Sequence, residues 1–197
     1  MADRPGEIEL GTGRLEAFSD AVFAVIMTIM ALTLKAPVGY TWVAVRDGLL
    51  PGLIVYALSF TMVGIYWNNH HHLLRAAERI NGAVMWANLF LLFCLSLLPV
   101  MTVWVREEYE HPLPAVGYGL VAIVAAVAYS FLVRALIGVN GRDSAVARAV
   151  GSDLKGYASL AGYAAGIALA FVSPWIAYAL YVAVALMWFV PDRRFAR

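Results

Sequence analysis

The segment Arg14-Leu-Glu-Ala-Phe18-Ser19-Asp20 sets a base, an aromatic ring, a hydroxyl and a carboxylic acid at the mouth of a long apolar run. An ionised carboxylate at the end of a bilayer-length helix costs on the order of a few kcal/mol unless it is paired or wetted. Such groups mark ion pathways, proton relays or fixed polar contacts more often than they serve stability. Taken as a helix, the segment reads as a polar clasp of Arg14, Phe18 and Ser19 with Asp20 beside them. An interfacial anchor is the plainer alternative. A second cluster, His70-His71-His72, invites a zinc reading. Three consecutive helical residues point in three directions and do not converge as i, i+4 ligands do, so no metal site is expected. A polar network at a helix end fits better, and with an ordinary imidazole pKa of ~6.5 it would respond to pH. Ser19 and Asp20 with a histidine imitate a hydrolase dyad. No nucleophile elbow or oxyanion glycine accompanies them, so neither an enzyme nor a cofactor is expected.

These residues must be positioned by membrane helices. The 197 residues are 62% hydrophobic and 14% charged, against about 25% charged in a soluble domain. Mean hydropathy is +0.76, and the apolar runs recur along the whole chain, which predicts an all-α integral membrane protein forming one domain over 1–197. A net charge of +1 gives no footprint for nucleic acid. The lone cysteine, Cys94, excludes an intrachain disulfide. Met1 to Gly13 is polar and mixed in charge, so no cleavable leader is expected.

Six spans are expected, at 16–35, 49–69, 82–105, 113–138, 156–172 and 175–190. Lys35-Ala-Pro37 ends the first, and Pro51 opens the second. The acidic stretch 106–112 separates the third and fourth, Asn140-Gly-Arg-Asp-Ser144 follows the fourth, and Ser173-Pro174 turns between the last two. Those last two are near the lower length limit for spanning and also suit a re-entrant pair. With six spans, eleven of the fourteen Lys and Arg fall on the side of the termini and three on the other. The positive-inside rule then predicts a multi-pass cell-membrane protein with both termini cytoplasmic.

Val25, Thr28, Ile29 and Leu32 recur at i, i+3, i+4 and i+7 and form one stripe on the first helix. A stripe of this kind serves helix packing. It also suits a pore wall whose narrow part is apolar and gates by dewetting, with Thr28 adding a hydroxyl ring if subunits repeat about an axis.

Arg14-x-x-x-Phe18-Ser19-Asp20 at the start of the first span resembles the signature of the lysosomal potassium channel family, transmembrane protein 175, and its short bacterial relatives. Trp67-Asn-Asn-His70-His71-His-Leu73 and the run from Asn88 through Ser96 and Pro99 to Thr102 are similar to the family's second and third helices. The likeness covers about the first 110 residues. It implies six helices per subunit, a homotetramer in the lipid bilayer, potassium as the permeant ion and a pore lined by the first helix. By position it implies a constriction at Val25, where family members carry isoleucine or leucine, a threonine layer at Thr28, and apolar layers at Ile29 and Leu32. It also implies that Phe18, Ser19 and Asp20 bond to His70 or His71 and to Asn88.

Ala115-Val-Gly-Tyr-Gly119 looks like a carbonyl filter. It lacks the leading threonine, Pro112 and Pro114 precede it, and an apolar helix follows at once, so Gly117 and Gly119 are read as sites of close helix contact. Glu107, Glu108 and Glu110 read as a solvated loop or an acidic ring at a pore mouth. With the resemblance, the sequence predicts a potassium-permeable channel with weak preference for potassium over sodium. The alternative is a proton-coupled secondary transporter that uses Asp20 and a histidine as a relay. Broken helices or inverted repeats would favour the carrier, and neither is expected here.

Overall fold

A computed structural model describes residues 12–150 and 153–189, and every regular element in it is helical. In chain order these are α1 (Thr12–Leu32), α2 (Trp42–Ala44), α3 (Leu50–Arg75), α4 (Gly82–Ser96), α5 (Leu98–Glu108), α6 (Pro112–Asn140), α7 (Ala145–Val150), α8 (Leu154–Ala170) and α9 (Pro174–Phe189). A π-helical stretch, Val45–Leu49, joins α2 to α3 without a break. Four segments, Thr12–Leu32, Trp42–Arg75, Gly82–Glu108 and Pro112–Asn140, are long and apolar enough to cross a membrane. The apolar α9 is shorter, at 16 residues. The chain is an all-α, multi-pass membrane protein.

Local chemistry sets the boundaries. Asn81 accepts from the Val84 amide at 3.1 Å to start α4, and Asp153 accepts from the Gly156 amide at 3.1 Å to start α8. Pro51 and Pro112 sit in first turns, where a missing N–H leaves no gap in the ladder. Gly141, at φ +97°, closes α6 by donating to the Ile137 carbonyl at 2.8 Å, a backbone state that favours glycine.

The third expected span departs from a straight helix. Pro99 has no N–H for the Leu95 carbonyl, so the ladder is interrupted and α4 meets α5 at Leu97. Leu97 keeps right-handed helical angles, φ −82° and ψ −17°. The interruption is confined to Leu97, and the chain is helical on both sides of it.

The α1 helix packs on α3, α4 and α5; α6 lies between α4 and α8; α8 pairs with α9. In lipid no hydrophobic force draws helices together, so close contact and hydrogen bonds must do it. A Cβ at Gly119 would stand 2.2 Å from the Tyr181 hydroxyl, and one at Gly166 would stand 2.4 Å from the Tyr181 ring. These two glycines form a notch for Tyr181, whose hydroxyl donates to the Ala115 carbonyl at 3.0 Å. Gly117 makes room for Trp104 in the same way. Both glycines of the filter-like run therefore serve helix contact. Deep in the bundle, the Thr102 hydroxyl lies 2.7 Å from that of Ser59, which lies 3.2 Å from that of Tyr118, tying α5, α3 and α6 together.

Candidate functional site on the first helix

The α1 helix has two unlike faces. Leu15, Ser19, Phe23, Ile26 and Met30 are buried against α3, α4 and α5. Val25, Thr28, Ile29 and Leu32 lie on the opposite side and are exposed in the single subunit, Val25 at 53% and Leu32 at 85%, against 3% for Ile26 and 0% for Met30. Ala21 and Ala24 extend this open face toward the N-terminal end. The Thr28 hydroxyl donates to the Val25 carbonyl at 3.0 Å. Its proton is thus held by its own helix, and accepting is the hydroxyl's remaining hydrogen-bonding capacity.

A directed chain of hydrogen bonds fixes the N-terminal end. The Asn88 amide donates to Ser19 Oγ at 2.9 Å, and Ser19 donates to the Leu15 carbonyl at 2.8 Å. Asn88 Oδ1 lies 2.7 Å from His70 Nε2. The amide oxygen can only accept, so Nε2 carries the proton. His70 Nδ1 is buried without a partner, which fits the neutral tautomer: a proton there would have nothing to bond. Ser19, His70 and Asn88 are each fully buried. Phe23 packs edge-on to the His70 ring, with centroids 5.4 Å apart. All three bonds run in one direction, so each polarises the next.

A second pair of contacts lies one step away on α1. Trp67 Nε1 donates to Asp20 Oδ1 at 2.9 Å, and His71 Nδ1 lies 2.9 Å from Glu16 Oε1, a close approach without hydrogen-bond geometry. The Trp67 and His71 rings stack at 5.8 Å. Glu16 and Asp20 are i, i+4 on α1, and Trp67 and His71 are i, i+4 on the antiparallel α3. The two pairs therefore meet in matching register.

The structure brings Ser19, His70 and Asn88 together and gives Asp20 and His71 separate partners. It does not place Arg14 or Phe18 in the same group: Arg14 is exposed, Phe18 is 50% exposed, and neither bonds to these residues. Helical geometry is the reason. At about 100° per residue, Ser19 and Asp20 stand far around the helix from Arg14, so the motif splits into an inward half and an outward half. Asp20 bonds to an indole and not to a histidine, so the direct Asp–His contact a relay would use is absent among the described hydrogen bonds. Glu16 is the contributor that sequence reading passes over, and Trp67 is noted there only as the start of the Trp67-to-Leu73 segment. The i, i+4 spacing of Glu16 to Asp20 and of Trp67 to His71 was the available signal. Among the described residues no group of three or more His, Cys, Asp or Glu is placed to hold a metal.

Residues 14–99 match the profile of the family described as endosomal/lysosomal potassium channel TMEM175. The chain is 46% identical over 182 residues to "Potassium channel HX13_20290" of Chryseobacterium sp. (strain P1-3), covering 92% of this chain and 94% of that one. It is 31% identical over 188 residues to "Potassium channel B446_29190" of Streptomyces collinus, covering 89% and 90%. Its fold superimposes with a TM-score of 0.72 and 25% identity on the crystal structure of a lysosomal potassium-selective channel TMEM175 homolog from Chamaesiphon minutus, covering 91% of this chain and 96% of that one.

Proposed function

The chain belongs to the TMEM175 family, and from that premise we propose that it is a potassium channel in which α1 from each of four copies lines one central pore. One observation carries the reading: α1 is fully packed on its Ile26–Met30 face and fixed by hydrogen bonds at its N-terminal end, yet leaves Val25, Thr28, Ile29 and Leu32 open. Four such faces about an axis give stacked rings, with the Val25 ring narrowest, a hydroxyl layer at Thr28, and apolar layers at Ile29 and Leu32. An apolar ring blocks ions because a narrow dry section strips their hydration without replacing it. Potassium releases water more readily than sodium, so discrimination is weak and in favour of potassium. The Thr28 lone pairs return part of the lost coordination.

In this reading Ser19, Asp20, His70, His71 and Asn88 hold the pore helix and do not ligate passing ions. Arg14 and Phe18, which face away from that network, are left for contacts between copies. In this reading both termini, which lie outside the described residues, face the cytoplasm of a cell membrane, and the excess of basic residues on their side supports it. No chemical step is needed in this reading. The test is planar-bilayer recording of the purified protein under opposed potassium and sodium gradients. Unitary currents that reverse on the potassium side support the channel; slow saturable flux without unitary steps overturns it in favour of a carrier.

A further inference from the structure

The C-terminal end of α1 is held by contacts that lie outside the Arg14-to-Asp20 signature. Past its last turn, the Thr33 carbonyl has no amide left in the helix to bond. Arg106, at the end of α5, donates to it through Nη1. The second nitrogen, Nη2, donates to Glu107 Oε1 at 3.0 Å, and Lys35 Nζ donates to the same oxygen at 2.9 Å. The Arg106 side chain is only 12% exposed, whereas those of Lys35 and Glu107 are 71% and 47% exposed. The guanidinium is thus the embedded member of the cluster. Its stem passes over Gly52 in the first turn of α3, where a Cβ would stand 2.8 Å from Arg106 Cδ. The path from α5 to α1 exists because position 52 has no side chain.

We infer that Arg106 is a positioning residue for conduction: it holds the C-terminal end of α1 and thereby sets the width and tilt of the pore beyond Leu32. The claim rests on the reading of α1 as the pore wall. Two features of the geometry support it. A guanidinium is a planar fork that can bond a helix-end carbonyl and a carboxylate at once, whereas an ammonium is a point charge. Its positive charge also sits at the negative end of the α1 dipole, where it is favourable. The N-terminal end of α1 is fixed by an independent set of bonds to α3 and α4. The helix is therefore pinned at two points, and loosening one lets it swing about the other.

The test separates the clamp from the channel reading. In a Cys94→Ala background, nitroxides are placed in one subunit at Leu32 and Leu113, both exposed, and the labelled protein is diluted into unlabelled protein. A second pair at Phe18 and Trp86, also exposed, reports the N-terminal end. Electron–electron resonance then reads both distance distributions. Arg106→Gln should broaden the Leu32–Leu113 distribution about twofold and leave the Phe18–Trp86 distribution as it is, with Arg106→Lys in between. Unitary potassium conductance should change by at least about twofold in Arg106→Gln and less in Arg106→Lys. An unchanged Leu32–Leu113 width, equal broadening at both ends, or a broadened end with unchanged conductance each overturns the proposal. If Arg106→Gln yields no protein, Arg106→Lys carries the same three readouts. Absence of potassium current in the unsubstituted protein defeats the channel reading instead, and the distance data still judge the clamp.

Discussion

The two ends of α1 are secured by opposite kinds of chemistry. At the N-terminal end, uncharged side chains bond to one another in full burial: His70, Asn88 and Ser19. At the C-terminal end, a charged side chain reaches a backbone carbonyl, with two exposed charges alongside. A buried neutral chain is specific in distance and direction, and it tolerates no substitution that leaves a member without a partner. A guanidinium on a carbonyl depends on reach and charge, and solvent can replace part of it. The first end should behave as a fixed point and the second as an adjustable one. Between them the helix presents its open face.

The largest effect should come from the N-terminal end. Asn88→Leu keeps the volume roughly constant but leaves His70 Nε2–H and Ser19 Oγ without their shared partner. The orphaned His70 N–H costs about 1–3 kcal/mol, and Ser19 keeps only its bond to the Leu15 carbonyl, so the thermal unfolding midpoint of the purified protein should fall sharply, and assembled protein with it. A midpoint within error of the unsubstituted protein would mean that the chain of bonds is ornamental and that the contrast between the ends is false.

Next in size is the span between the ends. Val25→Asn puts an amide on the open face, and Ile26→Asn puts the same amide on the packed face. In the channel reading, Val25→Asn wets the constriction and raises sodium leak on the order of tenfold, the change that ~1.4 kcal/mol of lost barrier gives. Ile26→Asn should instead cost folding, because an unpaired amide enters a buried site. Bilayer recording and size-exclusion yield read the two outcomes. If Ile26→Asn leaks and Val25→Asn misfolds, the faces are reversed.

A smaller effect is expected at the rim of the N-terminal end. Trp67→Phe keeps the ring against His71 but removes the donor to Asp20. Loss of one hydrogen bond to a partly wetted carboxylate should lower stability by about 1 kcal/mol, less than Asn88→Leu, because solvent can take the donor's place. Guanidinium or thermal melts in a mild detergent give the comparison. A loss as large as that of Asn88→Leu would make Asp20, and not Ser19, the centre of the anchor.

Legibility in the sequence follows the same division. The helical class and the boundaries of most spans were readable because apolar periodicity, prolines and turn residues are local signals, as at Pro51, Gly141 and Pro174. The N-terminal anchor was partly readable, because side chains bonding to side chains leave a residue-type trace: Ser19, His70 and Asn88 are conspicuous polar residues in apolar runs. Which histidine joins Asn88 was not readable, since His70 and His71 differ only by 100° of helix rotation. The C-terminal clamp left no such trace. Its acceptor is a backbone carbonyl, which every residue has, and its path depends on Gly52, which reads as an ordinary helix-start glycine. The interruption at Leu97 lay in plain view at Pro99, yet a strong apolar run masked it.

The smallest effect tests whether the C-terminal end is geometric or merely electrostatic. Lys35 and Glu107 form an exposed ion pair beside Arg106. Pairs of this kind contribute little, because both partners are well solvated and salt screens them. Lys35→Gln removes one charge from the cluster but leaves the bond from Arg106 to the Thr33 carbonyl. The unfolding midpoint should stay within experimental error at physiological salt, and any change seen at low salt should vanish as salt is raised. Potassium conductance should shift only slightly, through the loss of a positive charge near the end of the open face. Arg106→Gln changes the net charge of the cluster by the same amount and in addition frees the helix end. If Lys35→Gln reproduces the conductance change of Arg106→Gln, charge alone accounts for both and the end of α1 needs no clamp. If only Arg106→Gln alters conductance, and high salt does not restore it, the fork that reaches Thr33 is what holds the helix.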